Sequence, residues 1–122
     1  MGYAPWIFLH SVAKRLQLQN VADWISREKM PLRVDQTVPL VSVVRMSADR
    51  QRGAMVLLNA GMDEIPEATV HVRLAARHAR LLTIGQKERA LEVQPEASGG
   101  CIRLRNLPAW SFQIILLGEN DD

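Results

Sequence analysis

The spacing of hydrophobic residues divides the chain into two regions that favour different secondary structures. In residues 5–28, apolar side chains recur every three or four positions, which predicts helix. They form two successive sets, Leu9, Val12, Ala13 and Leu16, then Leu18, Val21, Ala22 and Ile25. Asn20 suits the N-cap of a new helix, and Asp23 would be an acidic residue in its first turn. The pattern therefore predicts either one bent helix or two helices that meet near residues 17–20.

From Pro31 onward the hydrophobic period becomes two, which is the period of a β-strand. Pro31 also disfavours helix at the residue before it, so it closes the helical region. Seven segments carry the strand pattern, namely residues 38–46, 53–59, 68–74, 81–84, 89–93, 101–104 and 110–117. The last segment has apolar residues on both faces, which indicates a central position between covering layers.

Turn signals separate these segments at the spacing that is typical of antiparallel β-sandwiches. Ser47–Gly53 is predicted to form a charged hairpin loop, and Gly99–Gly100 is predicted to form a β-turn. We therefore predict a mostly β fold, an antiparallel β-sandwich of about seven or eight strands preceded by an N-terminal helix or helix pair. The predicted boundaries are a helical segment over 1–30, a β-sandwich domain over 31–118 and an acidic tail over 119–122.

The composition narrows the classes of function. The chain has 122 residues, of which 48% are hydrophobic and 23% charged, which suits one globular domain with its own core. Fifteen Lys and Arg against 13 Asp and Glu leave a net charge of +2, and the basic residues are scattered. We therefore predict no nucleic-acid partner. No apolar run approaches the ~20 residues of a membrane span, so no membrane partner is predicted either.

The titratable residues show no pattern of a catalytic or metal site. The histidines are His10, His71 and His78, and none forms a short ligand pair such as His-x-x-x-His. Cys101 shares a strand face with Arg103 and Arg105, whose charges could lower the pKa of its thiol, but the sequence identifies no histidine partner. The carboxylates fall in turns or on polar strand faces, and no two of them stand out as a glycosidase pair. We predict solvated histidines, no catalytic residue, no metal and no cofactor.

Aromatic residues offer two interpretations, because their rings either fill a core or stack on the apolar faces of sugars. Trp24 and Trp110 lie on periodic apolar faces, so we predict that both belong to the core. Tyr3 and Trp6 lie on no clear face. These two residues are the candidates for contact with a sugar.

Short segments occur in the order expected for the exit from a catalytic barrel into an appended β-domain. They are residues 2–6 (GYAPW), 9–15 (LHSVAKR), 22–26 (ADWIS) and 31–34 (PLRV). Val56–Asp63 then provides a strand and loop, and Leu107–Leu117 provides a closing strand. Together these segments resemble the C-terminal part of bacterial glycoside-hydrolase-like proteins of the broad β-galactosidase kind.

The resemblance implies that the apolar start MGYAPWIFLH packs inside a larger parent protein, with residues 1–30 as the last helix of its barrel. In that family the catalytic carboxylates lie on barrel strands, which this chain does not contain, so no catalytic residue carries over. Tyr3 and Trp6 correspond to residues at the mouth of the barrel.

The expected function is a non-catalytic C-terminal accessory domain of a carbohydrate-active, glycosidase-like protein, which supports barrel packing or oligomerisation. Two alternatives remain, a carbohydrate-binding module and an immunoglobulin-like protein-interaction domain, because sandwich folds serve many functions. The expected partners are the catalytic domain of the parent chain, a second copy through the N-terminal helix, and carbohydrate. This chain alone is not expected to be an enzyme.

Overall fold

The structure is a computed structural model that describes residues 12–27, 30–35, 38–74 and 76–118. Tyr3 and Trp6, the candidate sugar-contact residues, lie outside the described residues. The chain divides into two compact units, Met1–Met30 and Pro31–Asp122. The functional domain boundaries drawn from the sequence remain a prediction.

Helix α1 spans Val12–Ile25 without a break at residues 17–20, so the alternative of two helices meeting there is wrong. Leucine and glutamine at these positions are good helix formers, which carries the helix past Asn20. The helix ends at Ile25, and Arg27 in the turn that follows has a positive φ of 54°, the left-handed conformation common just after a helix. α1 is too short to cross a bilayer, and the described residues contain no other helix.

The prediction that Trp24 belongs to a core is wrong, because this side chain is 79% exposed on α1. Leu18 and Ile25 of the same helix are also exposed. Helical spacing selects a face of the helix, but it does not establish that anything covers that face.

Within residues 30–35, 38–74 and 76–118, nine antiparallel strands form two sheets. They are β1 (Leu32–Val34), β2 (Leu40–Met46), β3 (Gly53–Asn59), β4 (Ile65–Val72), β5 (His78–Leu82), β6 (Arg89–Leu91), β7 (Gln94–Glu96), β8 (Gly99–Leu107) and β9 (Phe112–Gly118). One sheet has the order β1-β4-β8-β7, and the other has the order β2-β3-β9-β5-β6. The predicted mostly β sandwich fold is confirmed.

Strands with a strong alternating pattern lie where the sequence predicts them. β3 has the predicted bounds. β9 lies between β3 and β5 and is therefore central in its sheet, but Phe112 on its outer face is 42% exposed, so the prediction of covering layers on both faces is wrong at that position. The prediction of a β-turn at Gly99–Gly100 is wrong, since these residues begin β8 and the turn falls on Ala97 and Ser98. The three-residue strands β1 and β7 were not predicted, whereas the equally short β6 lies within the predicted segment 89–93.

The core lies between the inner faces of the two sheets. Its largest fully buried apolar side chains are Met55, Leu57, Val70, Ile102, Leu104 and Ile115. Burying one such side chain contributes roughly 1.5–3 kcal/mol. Trp110 does not join them, although its position in the sequence predicted that it would. It lies in the turn before β9 with a φ of 53°, and it is 65% exposed.

Asn59 is a buried polar residue at one end of the sandwich and is 1% exposed. Its Nδ2 lies 2.9, 3.1 and 3.0 Å from the carbonyl oxygens of Asp63, Leu107 and Pro108. Its Oδ1 accepts a hydrogen bond from the Gly61 amide at 2.9 Å. One amide group therefore ties the end of β3 in one sheet to the end of β8 in the other.

The outer faces of the two sheets differ in chemistry. On the five-stranded sheet, cross-strand neighbours form two apolar rows, Val41, Leu58 and Phe112, then Val43, Val56, Ile114 and Leu82. Val43 exposes 60% of its surface. We call these seven residues the apolar outer face. On the four-stranded sheet the outward positions of β4 and β8 include His71, Thr69, Arg103 and Arg105, so that face is polar.

Candidate functional site

The polar outer face contains a row of four residues, one from each strand of the four-stranded sheet. Arg33 of β1 is opposite His71 of β4, His71 is opposite Cys101 of β8, and Cys101 is opposite Gln94 of β7. Strand alternation places this row outward because its neighbours Val70 and Val72 point into the core. The strand register therefore brings together residues that are far apart in the sequence.

His71 is held between two carboxylates. Its Nδ1 lies 2.8 Å from Oε2 of Glu96, and its Nε2 lies 2.6 Å from Oδ2 of Asp35. Asp35 directly follows β1, and its backbone amide donates to the Thr69 carbonyl of β4 at 3.1 Å. Glu96 is the last residue of β7. The histidine therefore joins the β1 and β7 ends of the sheet across β4 and β8.

This arrangement favours the protonated imidazolium. Ionised carboxylates only accept hydrogen bonds, so a histidine that donates to two of them needs a proton on each ring nitrogen. The hydrogen bond to Glu96 and then the one to Asp35 raise the pKa of His71 above its ordinary value of 6.5, and partial burial opposes the rise. With both partners charged, the metal-free cluster is a cation between two anions.

Cys101 lies beside this cluster and is 7% exposed. The sequence suggested that neighbouring arginines could lower the pKa of its thiol, and the structure gives the opposite result. Burial and then the charge of Glu96 raise that pKa, while Arg103 lowers it by less. In the metal-free protein the cysteine is therefore a protonated, buried thiol and a poor nucleophile.

Three potential metal-ligand atoms converge here. One each from His71, Glu96 and Cys101 lie within 4.8 Å of one another. They supply one nitrogen, one oxygen and one sulfur, a donor set that suits zinc. Asp35 holds the remaining ring nitrogen of His71 from the other side.

Sequence reasoning missed this cluster because it searched for short ligand spacings. His71 and Glu96 are 25 residues apart, and only the pairing of β4 with β8 and of β8 with β7 brings them together. The expectation of a solvated histidine is therefore wrong for His71, which exposes 28% of its side chain. His78 is exposed, at the start of β5. His10 lies outside the described residues.

We expect the protonated His71 to stabilise the fold at low pH, with the effect lost as the pH rises. Because its folded pKa is raised, the stabilisation is complete below the pKa of an unfolded histidine and disappears as the pH passes the folded pKa. We expect this stabilisation to be about 1 kcal/mol of the free energy of unfolding. This is less than most hydrogen bonds to charged groups contribute, because solvent reaches both carboxylates. Urea unfolding of the wild type and of His71→Gln, from pH 5 to pH 9 with a chelator, measures this contribution to the free energy of unfolding.

His78→Gln is the matched control, since it removes an exposed histidine on the other sheet. The difference between wild type and His71→Gln should shrink as the pH rises above 6.5, whereas the difference for His78→Gln should stay nearly constant. A His71→Gln difference that does not change with pH contradicts the imidazolium assignment.

Comparison with known proteins shows a similarity of fold and no similarity of sequence family. No family model matches the chain, and no curated protein matches it. Its structure is similar to alpha-L-fucosidase isoenzyme 2 from Paenibacillus thiaminolyticus, with a TM-score of 0.56 and 16% sequence identity. The match covers 91% of this chain and 18% of the fucosidase chain. The protein therefore shares its fold with a minor part of a glycoside hydrolase chain.

Proposed function

We propose that this chain is a non-catalytic accessory domain of a glycosidase-like protein, with a structural role beside the catalytic domain. The likeness of fold to 18% of a fucosidase chain is the observation that carries the proposal. The segments that resemble the C-terminal part of β-galactosidase-like proteins support it independently. Under this proposal the chain alone hydrolyses no glycoside.

The apolar outer face is the surface that suits this role. Its two rows cross four neighbouring strands, from Val41 and Val43 on β2 to Leu82 on β5. Contiguous exposed apolar surface on a folded domain generally marks a site of association. Arg45 and Arg80 lie in the next row along the same face, so positive charges border the apolar residues there. We assign this face to packing against the catalytic domain of the parent chain.

The test compares the complete product of the gene with the same product lacking residues 31–118. We expect the deletion to lower the melting temperature of the remaining protein by several degrees and to reduce its turnover of chromogenic glycosides. The deletion exposes the apolar surface of the catalytic domain that residues 31–118 would cover, which is the physical cause. A deletion that changes neither property contradicts the structural role.

A point variant tests the apolar outer face itself. Val43→Glu places a charge at the β2 edge of that face, and Gln51→Glu places the same charge in the exposed β2–β3 loop. Both should leave the unfolding of the isolated chain nearly unchanged. In the complete gene product only Val43→Glu should lower the melting temperature, and equal effects of the two variants contradict the assignment of this face.

A second candidate function is carbohydrate binding, and the exposure of Trp110 favours it. This indole is 65% exposed beside the exposed Phe112 in sequence, at a backbone φ that is uncommon for an aromatic residue. Exposed aromatic rings are the groups that stack on sugars. Calorimetric titration with a panel of oligosaccharides distinguishes the two functions. A saturable signal that Trp110→Ala abolishes favours the binding module, and silence across the panel leaves the structural role.

A further inference from the structure

We propose that His71, Glu96 and Cys101 bind a zinc ion on the polar outer face of the four-stranded sheet. The inference rests on the geometry of this cluster and does not depend on the proposed accessory function. The ligand atoms of the three residues lie within 4.8 Å of one another and come from three different strands.

The distances suit a metal after a small adjustment. Zinc bonds of about 2.0–2.3 Å in a tetrahedral arrangement separate neighbouring ligand atoms by roughly 3.3–3.8 Å. Nδ1 of His71 and Oε2 of Glu96 are now 2.8 Å apart, so they move apart by less than about 1 Å. The Glu96 side chain is 37% exposed at the end of a short strand, which leaves it free to make this movement.

The identity of the donors favours zinc over calcium or magnesium. A thiolate and an imidazole are ligands for zinc and related transition metals, whereas calcium and magnesium take oxygen ligands. Cys101 supplies the sulfur from a buried position, and Glu96 supplies an oxygen from the solvent side. Three protein ligands leave a fourth position of the tetrahedron for water.

Asp35 has the geometry of a positioning residue for this site. Its Oδ2 lies 2.6 Å from Nε2 of His71, the ring nitrogen that does not face Glu96. A carboxylate in this place fixes the tautomer with a proton on Nε2 and directs Nδ1 toward the metal. The Asp35 backbone is itself held, since its amide donates to the Thr69 carbonyl.

Binding displaces protons and no electrons. The imidazolium of His71 loses its Nδ1 proton to solvent and keeps the Nε2 proton on the Asp35 hydrogen bond. The thiol of Cys101 loses its proton and binds as thiolate. The Glu96 carboxylate binds as it is, after releasing its hydrogen bond from His71.

The experiment titrates the metal-free full chain, carrying no affinity tag, with zinc and separately with cobalt. We expect one zinc per chain by calorimetry, with a rise in melting temperature at saturation. Cobalt bound through a thiolate gives an intense near-ultraviolet charge-transfer band, so this band reports Cys101 directly. Absence of stoichiometric binding by both metals overturns the proposal.

Variants assign the ligands. Cys101→Ser should remove the cobalt charge-transfer band and weaken zinc binding by roughly 100-fold, and Glu96→Gln should weaken it while keeping the band. Asp35→Asn, which removes only the positioning contact, should weaken zinc binding by about 10-fold. If Cys101→Ser does not fold, Glu96→Gln and Asp35→Asn still test the site.

His78→Gln is the matched control, because it removes an exposed imidazole from the other sheet. It should leave zinc affinity unchanged. Zinc binding that is lost in His78→Gln, or that is equal in the wild type, Cys101→Ser and Glu96→Gln, places the metal elsewhere and overturns the proposal.

Discussion

Asn59→Asp is expected to lose about 4 kcal/mol of the free energy of unfolding at pH 7. The substitution replaces Nδ2, which faces the carbonyl oxygens of Asp63, Leu107 and Pro108, with an oxygen. Four acceptors then meet at a site that is 1% exposed, with no donor among them. The charge is also removed from water without a cation to balance it.

The loss is large relative to the stability of a small domain. Domains of this size are stable by roughly 5–15 kcal/mol, so a loss of this size leaves a substantial unfolded population in the weaker part of that range. Asn59→Ala should lose less, about 3 kcal/mol, because it leaves the carbonyls unsatisfied but adds no charge.

The expected deficit of Asn59→Asp depends on pH. Burial and the neighbouring carbonyls raise the pKa of the introduced carboxyl above its unfolded value of about 3.9. The extra loss is therefore absent at pH values below the unfolded pKa and grows as the pH rises above it. Urea unfolding at pH 3 and pH 7 measures the small and the large deficit, provided that each variant is compared with the wild type at the same pH.

Asn106→Asp is the matched control, since it makes the same chemical change at an exposed position of β8. Its left-handed backbone conformation, with a φ of 54°, tolerates either residue. We expect a change of less than about 0.5 kcal/mol. Similar losses in Asn59→Asp and Asn106→Asp would show that the Asn59 amide does not hold the two sheets together.

Gly99→Ala is expected to lower the free energy of unfolding by about 3 kcal/mol or more. Gly99 begins β8 with a φ of 151°, which side chains rarely adopt. An added Cβ would lie 1.9 Å from the Val72 carbonyl oxygen and 2.9 Å from Cα of Arg73. Because these are backbone atoms of the paired strand, no side-chain rotation relieves the overlap, and the β7–β8 hairpin must shift.

Gly85→Ala shows how much stability is lost through the backbone conformation alone, without steric overlap of the added Cβ. Gly85 also has a positive φ, 75°, but an added Cβ there meets nothing within 4 Å. We expect a loss of about 1 kcal/mol from conformation alone. Chemical denaturation of both variants gives the comparison, and losses of equal size would refute the steric explanation.

Gly99→Ala also links the fold to the candidate metal centre. Gly99 is the strand partner of Glu96 in the β7–β8 pair. A shifted hairpin moves the Glu96 carboxylate away from His71 but leaves the Asp35 contact, so the variant should also lose part of the pH dependence that we expect from the imidazolium.

The sequence predicted most of the sandwich because alternation is a local property. In β4 the side chains of Ala68, Val70 and Val72 are buried while Thr69 and His71 are only partly buried, which is the alternation that the sequence shows. Trp110 shows where such reasoning stops. Its apolar character indicated the core, but the turn before β9 directs it to solvent.

The candidate site could not be predicted in the same way. Asp35, His71, Glu96 and Cys101 each have an ordinary local context, and none marks the others as partners. Their proximity depends on the order β1-β4-β8-β7, in which β1 with β4 and β4 with β8 pair across a long separation in sequence, while β7 and β8 form a short hairpin. No sequence spacing encodes that order.

By itself the sequence determined the class of fold and the alternating strands, because hydrophobic period acts residue by residue along the chain. The tertiary structure alone decided which face of each sheet is apolar, that Trp24 and Trp110 are exposed, and that His71 meets two carboxylates and a thiol. The chemistry of each sheet face and the His71 cluster depend on strand register, and a register is settled by the packing of the whole sandwich, since a shift of one residue moves every side chain to the opposite face. The exposure of the two tryptophans depends on what packs against the helix and the turn that carry them.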